Sequence, residues 1–492
     1  MPGVVVTTAV RTGPSTINVA PASTFFVAGT AERGATGEAK LVTSLADFEV
    51  RYGGYTADGT LHQQVQTFFE EGGAKAYVGR VVGDDPATAS LTLTKVGGGN
   101  AFTVTAANSG AWANGATDGL SVTTTDGPGT TSNFKLYLGE DVIYQTGALT
   151  TAADFVAAIN NSAVATIYIS ASVNTASATL GASAGLQLSG GADGDLPTEA
   201  QLVAGLELFE TNLGAGAVAI PGSYSNAESS IIWDGLLAHA IDKNRIALLA
   251  FAEGNTVAET VTEAEDWIGT QANTEYAGFY YPSITMTGSA GTSLTISPEG
   301  YVAAKRSIAH NSVGAWQAAA GLNSKATFVT GVETSIDKAD GDTLDEGYIN
   351  AIRIIQGSVR VYGARSASTD TTNFRYLTAR DTLNYIVTEA EKSLEDLVFS
   401  TIDGRRTVFG RVEARLIGLL DPLRTAGGLY EAFDSDGNQI DTGYSVEVTD
   451  ALNPVSQLAT GTVKAKVGVR VSSVADRIEV EIVKSNLTAS VV

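Results

Sequence analysis

The chain has 492 residues, of which 44% are hydrophobic and 17% charged, with 54 glycines, no cysteine and a formal net charge of −23. That balance suits a folded chain of about three or four domains and not a disordered one. It excludes disulfides, thiolate catalysis and cysteine-held zinc, and it disfavours direct nucleic-acid binding, which needs clustered Lys and Arg.

Residues 1–20 read as an N-terminal arm. "GVVVTTAV" is β-prone, Pro14 and Pro21 discourage helix, and no glycine turn folds Val4, Val5, Val6 and Val10 back on the chain. "MPGVVVTTAV" also lacks the layout of a signal peptide. Residues 21–85 read as the first part of an α/β core. "STFFVAGTAERG" is a buried strand and turn, and "SLADFEVRYGG" a helix with Ser44 and Asp47 as a capping box. "TLHQQVQTFFEEGG" is a helix with Leu61, Val65, Phe68 and Phe69 on one face, stopped by Gly72 and Gly73, and "KAYVGRVV" a strand.

Residues 86–196 change character. "SLTLTKV", "AFTVTAA", "LSVTTT", "FKLYLG" and "TIYISAS" alternate polar and apolar residues, and only "TTAADFVAAINNSA" reads as helix. This is an inserted β-rich domain. Residues 197–368 return to helix–strand alternation, with the near-continuous apolar strands "GAVAIPG", "RIALLAFAE" and "YAGFYYPSI". Such strands imply a mostly parallel sheet covered on both faces. Residues 369–475 read as a C-terminal α+β domain. Leu383, Val387, Ala390, Leu394 and Leu397 form one helical stripe, and Val408, Val412, Leu416 and Leu419 a second. "DRIEVEIVKSNL" is a strand opening a C-terminal arm, 476–492, with Ile478, Val480 and Ile482 on one face. No apolar run approaches the roughly 20 residues of a membrane span, so a soluble protein without membrane insertion is expected.

Motifs with chemical meaning are short and out of context. "GTSLTISP" is similar to a serine-nucleophile box at Ser293, but His62, His239 and His310 sit in no matching base motif. The "DTG" at Asp441 has no second copy, and "DSDGNQID" from Asp434 misplaces the glycine and glutamate of a calcium loop. "VGGGN" lacks the lysine of a phosphate loop and reads as a hairpin. No catalytic residue, metal site or cofactor is expected. Arg405, Arg406, Arg411 and Arg415 cluster in this acidic chain. They read either as a solvated face paired with Glu413 and Asp396 or as a docking patch for an acidic partner.

Taken in order, "FFVAGTAERGATGEAKLVTSLADFEVRYGG", "VQTFFEEGGAKAYVGRV", "NSGAWANG", "LSGGADG", "AIPG", "FYYPSI", "SPEGYVAAKRSIAHNSVGAWQAAAG" and "VYGARSAS" resemble segments of contractile phage tail sheath proteins. Ser366 stands where that family often has threonine. The resemblance implies a structural subunit with a subtilisin-like but non-proteolytic core and an outward-facing β insert. It implies stacked six-fold rings around an inner tube, joined by strand exchange of the two arms. The partners implied are further copies of the chain, the tube, baseplate proteins and a tail terminator, in a virion tail or equivalent injection particle assembled in the host cytoplasm. Two other functions compete. One is a serine hydrolase using Ser293. The other is a cell-surface array or adhesin protein, suggested by the Ser/Thr-rich β structure and opposed by the absent secretion signal.

Overall fold

The computed structural model describes residues 21–115, 118–222, 224, 226–288, 291–478 and 480. In chain order the first unit contains β1 (Thr24–Gly29), β2 (Lys40–Val42), α1 (Leu45–Tyr52), α2 (Leu61–Glu70) and β3 (Ala76–Arg80). Next come β4 (Ser90–Thr94), β5 (Asn100–Ala106), β6 (Leu120–Asp126), β7 (Ser132–Leu138) and β8 (Asp141–Gln145). They are followed by α3 (Ala152–Asn160), α4 (Ala165–Tyr168), β9 (Ile169–Val173) and β10 (Ser183–Gln187). The chain continues with α5 (Glu199–Ala204), β11 (Gly216–Ala219), α6 (Asn226–Lys243), β12 (Ile246–Ala250), α7 (Val257–Ile268) and β13 (Ala277–Tyr281). After these lie β14 (Ile284–Thr287), β15 (Ser293–Ile296), α8 (Glu299–Ser312), β16 (Gly331–Val332), α9 (Lys338–Glu346), β17 (Ile349–Ile355) and β18 (Ser358–Tyr362). The last elements are α10 (Leu377–Leu394), α11 (Thr407–Thr425), β19 (Ala432–Phe433), β20 (Gln439–Asp441), β21 (Tyr444–Glu447), α12 (Val455–Leu458) and β22 (Lys466–Val469).

One eight-stranded sheet organises the molecule, in the order β18-β17-β13-β12-β11-β1-β3-β2. All six residues of β1 are buried, and it lies parallel to β11 on one side and β3 on the other. Alternation along the strands sends Phe25, Val27, Val78 and Leu248 to one face and Phe26, Ala28, Val218 and Leu249 to the other. Helices α2 and α8 cover the first face, and α6 and α7 the second. The interior is parallel as expected. Both edges are not: β2 on β3 and β18 on β17 run antiparallel, so the sheet is mixed. A mixed α/β fold with this large sheet and several small ones is the architecture of the chain.

The join after α2 carries an unforeseen buried charge. Gly72, at φ 95°, turns the chain, its N–H reaching the Phe69 carbonyl at 3.0 Å. Glu71 beside it is buried, with its carboxylate 2.6 Å from Lys305 Nζ of α8. That carboxylate also accepts the N–H groups of Thr327, Phe328 and Val329 at 2.9, 2.8 and 2.7 Å. The face of α2 is broader than expected, since Gln63, Gln64 and Thr67 are also buried while Phe69 is only partly so. Ser44 caps α1 by accepting the Asp47 N–H at 3.1 Å. The reciprocal half of the box is replaced, because the Asp47 carboxylate takes Arg51 Nε at 2.8 Å.

Residues between β3 and α5 form two sheets, β4-β5-β9 and β10-β6-β7-β8, around their own apolar cluster of Phe102, Val104, Phe134, Leu136 and Phe155. Thr151 and Asp154 make a complete capping box on α3. The stretch "TIYISAS", read as one strand, begins instead as the last residues of α4, because Ser162 Oγ caps the Ala165 N–H at 3.1 Å and starts a helical turn. The two ends of this segment meet where the Asp195 N–H donates to the Asp84 carbonyl at 2.9 Å. Arg33 lies over the rings of Trp112 and Tyr168, 5.4 and 5.6 Å from their centroids, and Arg80 donates to the Ser109 carbonyl at 3.1 Å. These contacts hold the segment against the large sheet's unit.

The stripe expected on α10 is displaced. Val387 is exposed and Leu383, Ala390 and Leu394 only half-buried, while Asp381, Asn384, Tyr385 and Ile386 point inward. Polar side chains are admitted because α10 packs on other polar groups. Asp381 meets Arg306 of α8 at 2.6 Å, and Asn384 Nδ2 donates to the Arg245 carbonyl at 3.2 Å. The stripe on α11 is as expected, with Val408, Val412, Leu416 and Leu419 all buried. Asp434 accepts the N–H groups of Asp436 and Asn438 at 2.9 and 2.8 Å, a turn bracket between β19 and β20. The strand expected from 476 onward is not formed over 476–478, and residues 479 and 481–492 lie outside the described residues.

Candidate assembly surfaces

Val4, Val5, Val6, Val10 and Ile482, expected to pair with other chains, lie outside the described residues. Ile478 and Val480 are described and are 83% and 75% exposed. The described residues next to each terminal segment are held by specific contacts. Ala22 is buried among Tyr385, Ile386, Leu419, Leu420 and Leu423, and its carbonyl accepts His310 Nδ1–H at 3.0 Å. At the other end Asp476 pairs with Arg375 at 3.3 Å.

The four arginines are all exposed around the start of α11. Asp403 caps this helix, accepting the Thr407 N–H at 3.0 Å and its hydroxyl at 2.8 Å. Arg406, at φ 59°, pairs with Asp450, and Arg415 pairs with Asp396 at 2.7 Å. Among the described residues Arg405 and Arg411 make no ion pair. The patch is therefore half neutralised within the chain and half free.

The same C-terminal unit carries apolar exposure that the sequence reading missed. Phe399 is 102% exposed at φ 66°, and Val398, Tyr430, Phe433, Ile440 and Val455 are each more than half exposed. Scattered exposed apolar residues are ordinary, but here they accompany two sheets, β19-β20 and β21-β22, that have two strands each among the described residues. The outer edges of such ribbons are a template for strand addition, although just past β22 the Tyr430 N–H donates to the Arg470 carbonyl at 2.7 Å and the Ser472 N–H to the Gly428 carbonyl at 3.0 Å. Their signal in the sequence was the density of Tyr, Phe and Ile in "GLYEAFDSDGNQIDTGYSVEV" without enough helix to cover them.

The residues that suggested catalysis are dispersed. Ser293 pairs with Thr287 across the β14–β15 hairpin. His62 faces Glu49 at 3.2 Å, and His239 accepts Arg245 Nη1–H at 2.8 Å. Burial, then the nearby Arg245 charge, push the His239 imidazole down to about 3, so it stays neutral. Asp441 of the "DTG" pairs with Arg470 at 2.7 Å. An open groove of about 640 Å³ between α6 and α7 is rimmed by Asp234, Glu259, Glu263 and Asp266. Three of those acids are already engaged. Asp234 takes Trp267 Nε1–H, Glu259 closes the capping box of α7, and Glu263 takes Asn255 Nδ2–H. Among the described residues no group of acids and histidines could hold a metal ion, and no helix is long and apolar enough to cross a membrane.

Neither a family profile nor a curated protein sequence matches the chain. Solved structures do. A sheath tail protein from Listeria innocua superposes with a TM-score of 0.63 at 17% identity, covering 88% of this chain and 89% of that one. The contracted helical sheath of the anti-feeding prophage gives 0.59 at 15% identity over 98% and 99% of the two chains. A sheath tail protein from Desulfitobacterium hafniense gives 0.58 at 15% identity over 91% and 93%. The likeness spans the large sheet, the β-rich segment and the C-terminal α+β unit together, so this chain has the fold of the sheath proteins of phage-like contractile systems.

Proposed function

We propose that this protein is the structural subunit of a contractile tail sheath, polymerising as stacked six-fold rings around an inner tube and contracting to drive that tube through a cell envelope. The observation that carries the reading is the coverage of 98% of the chain by the fold of a contracted helical sheath. A shared single domain would not give that. The division of labour follows the units: arms at 1–20 and 476–492, a core at 21–85 and 197–368, an outer insert at 86–196 and a C-terminal domain at 369–475. The core is of the subtilisin-like type and carries no protease activity. The dispersal of Ser293 and the histidines supports that part.

Assembly uses strand addition. Val4–Val10 and Ile478–Ile482 supply extended segments, and the free edges of the small C-terminal sheets receive them. A contact between different patches of identical subunits does not close on itself and so propagates as a helix or ring. The free Arg405 and Arg411 face an acidic partner, either the tube or the next subunit, which offsets the mutual repulsion of chains at −23. Baseplate and terminator proteins bound the polymer, and the particle forms in the host cytoplasm. Sedimentation velocity on the purified chain tests the reading. Species far heavier than the 50.7 kDa monomer support it. A monomer alone across salt and protein concentrations rejects it.

A further inference from the structure

The junction between α8, α10 and the base of the N-terminal segment contains two polar atoms whose needs are not met by protein. Arg306 and Asp381 are 4% and 3% exposed and pair at 2.6 Å through Nη2 and Oδ1. Asp381 Oδ2 and Arg306 Nε have no hydrogen-bond partner. His310 Nε2 is 3.9 Å from Asp381 Oδ2, too far for a hydrogen bond, while its Nδ1–H is committed to the Ala22 carbonyl. Both Arg306 and Asp381 line a small cavity of about 10 Å³, closed by Tyr280, Gln317, Ala364 and Thr378 among others.

We infer that this cavity is a site for one ordered water molecule, which accepts from Arg306 Nε–H and donates to Asp381 Oδ2. The volume is that of about one water-sized sphere, the lower limit for holding one. The charges select the occupant. A cation there would lie against the Arg306 guanidinium and an anion against the Asp381 carboxylate, whereas a neutral molecule with donors and lone pairs satisfies both. Buried polar atoms in native proteins are nearly always paired with protein or with such a water. The water completes a network running from α10 through Asp381 to Arg306 on α8, with His310 on the same helix holding the Ala22 carbonyl.

A crystallographic or cryo-EM map of the full chain at about 2 Å tests this. The expected result is a single water peak within roughly 2.7–3.2 Å of both atoms. Absence of density, a peak that reaches neither atom, or a bidentate Arg306–Asp381 pair filling the space would overturn it. The variant Arg306→Lys removes the Nε donor and keeps the positive charge. Its map should show the peak lost or at less than half occupancy, and an unchanged peak would refute Arg306 as the donor. The wild-type map decides the matter if that variant does not fold.

Discussion

The change Glu71→Ala should be among the most damaging single substitutions in the core. It strands Lys305, 2% exposed, without its carboxylate partner, and breaking one side of a buried pair costs about 3–5 kcal/mol. It also removes the acceptor of three N–H groups. Thr327 is exposed and Phe328 half-buried, so water can replace the acceptor there, but Val329 is buried and its N–H is orphaned, adding about 1–3 kcal/mol. The expected loss is about 4–8 kcal/mol, against total stabilities of about 5–15 kcal/mol. Adding Lys305→Met removes the stranded charge and should recover part of that loss. Urea unfolding followed by circular dichroism measures both, with amide exchange at 327–329 as the local probe. A Glu71→Ala variant within about 1 kcal/mol of wild type, or a double variant no more stable than the single, would refute the reasoning. The pair also has a pH signature. Burial raises the Glu71 carboxyl, but Lys305 and the N–H groups outweigh it and hold the value below the ordinary 4.5. Its stabilisation is therefore present above the ordinary carboxylate range and lost as pH falls through the lowered folded value.

Glu299 gives the opposite sign, because burial pushes its carboxyl up to about 7 from 4.5. Its contribution is complete below 4.5 and lost as pH rises towards 7, so Glu299→Gln should match wild type in acid and exceed it above pH 7 by on the order of 3 kcal/mol in urea titrations; equal curves at pH 8 contradict this. Replacing 86–196 with a short linker should leave a folded core, since Asp84 and Asp195 are hydrogen-bonded neighbours, and the excised segment should fold alone around its own cluster. A random-coil circular dichroism spectrum of either piece counts against that. Reversing charge at Arg405 and Arg411, which are exposed and make no ion pair among the described residues, should change monomer stability by only about 0–1 kcal/mol, yet weaken assembly. Wild-type sedimentation of the double reversal at moderate salt would reject the docking role.

Much of the fold was legible because its signals are local. Period-two and period-3.6 patterns located β1, α2, the strands between β3 and α5, and the α11 stripe, and glycine at Gly72 marked the turn after α2. What failed depended on distant partners. Nothing near Glu71 in sequence announces Lys305 and the N–H groups of 327–329, all more than 230 residues away. Asp381 and Asn384 face inward only because Arg306 and the Arg245 carbonyl wait for them. The antiparallel edges of the large sheet were equally hidden, since burial patterning reports which faces are covered and not strand direction. For the assembly surfaces, the arginine cluster at 405–415 was legible as a local concentration of positive charge in an acidic chain. Phe399 was not, because an apolar residue after a helix reads the same whether it packs or projects.

The most direct test of a sheath role is electron microscopy of the purified full-length protein beside a version lacking residues 1–12. The account predicts striated hollow cylinders of uniform width from the full chain and dispersed, folded monomers from the truncated one. Monomers from the full chain at every concentration and salt, or cylinders from both proteins, would contradict it.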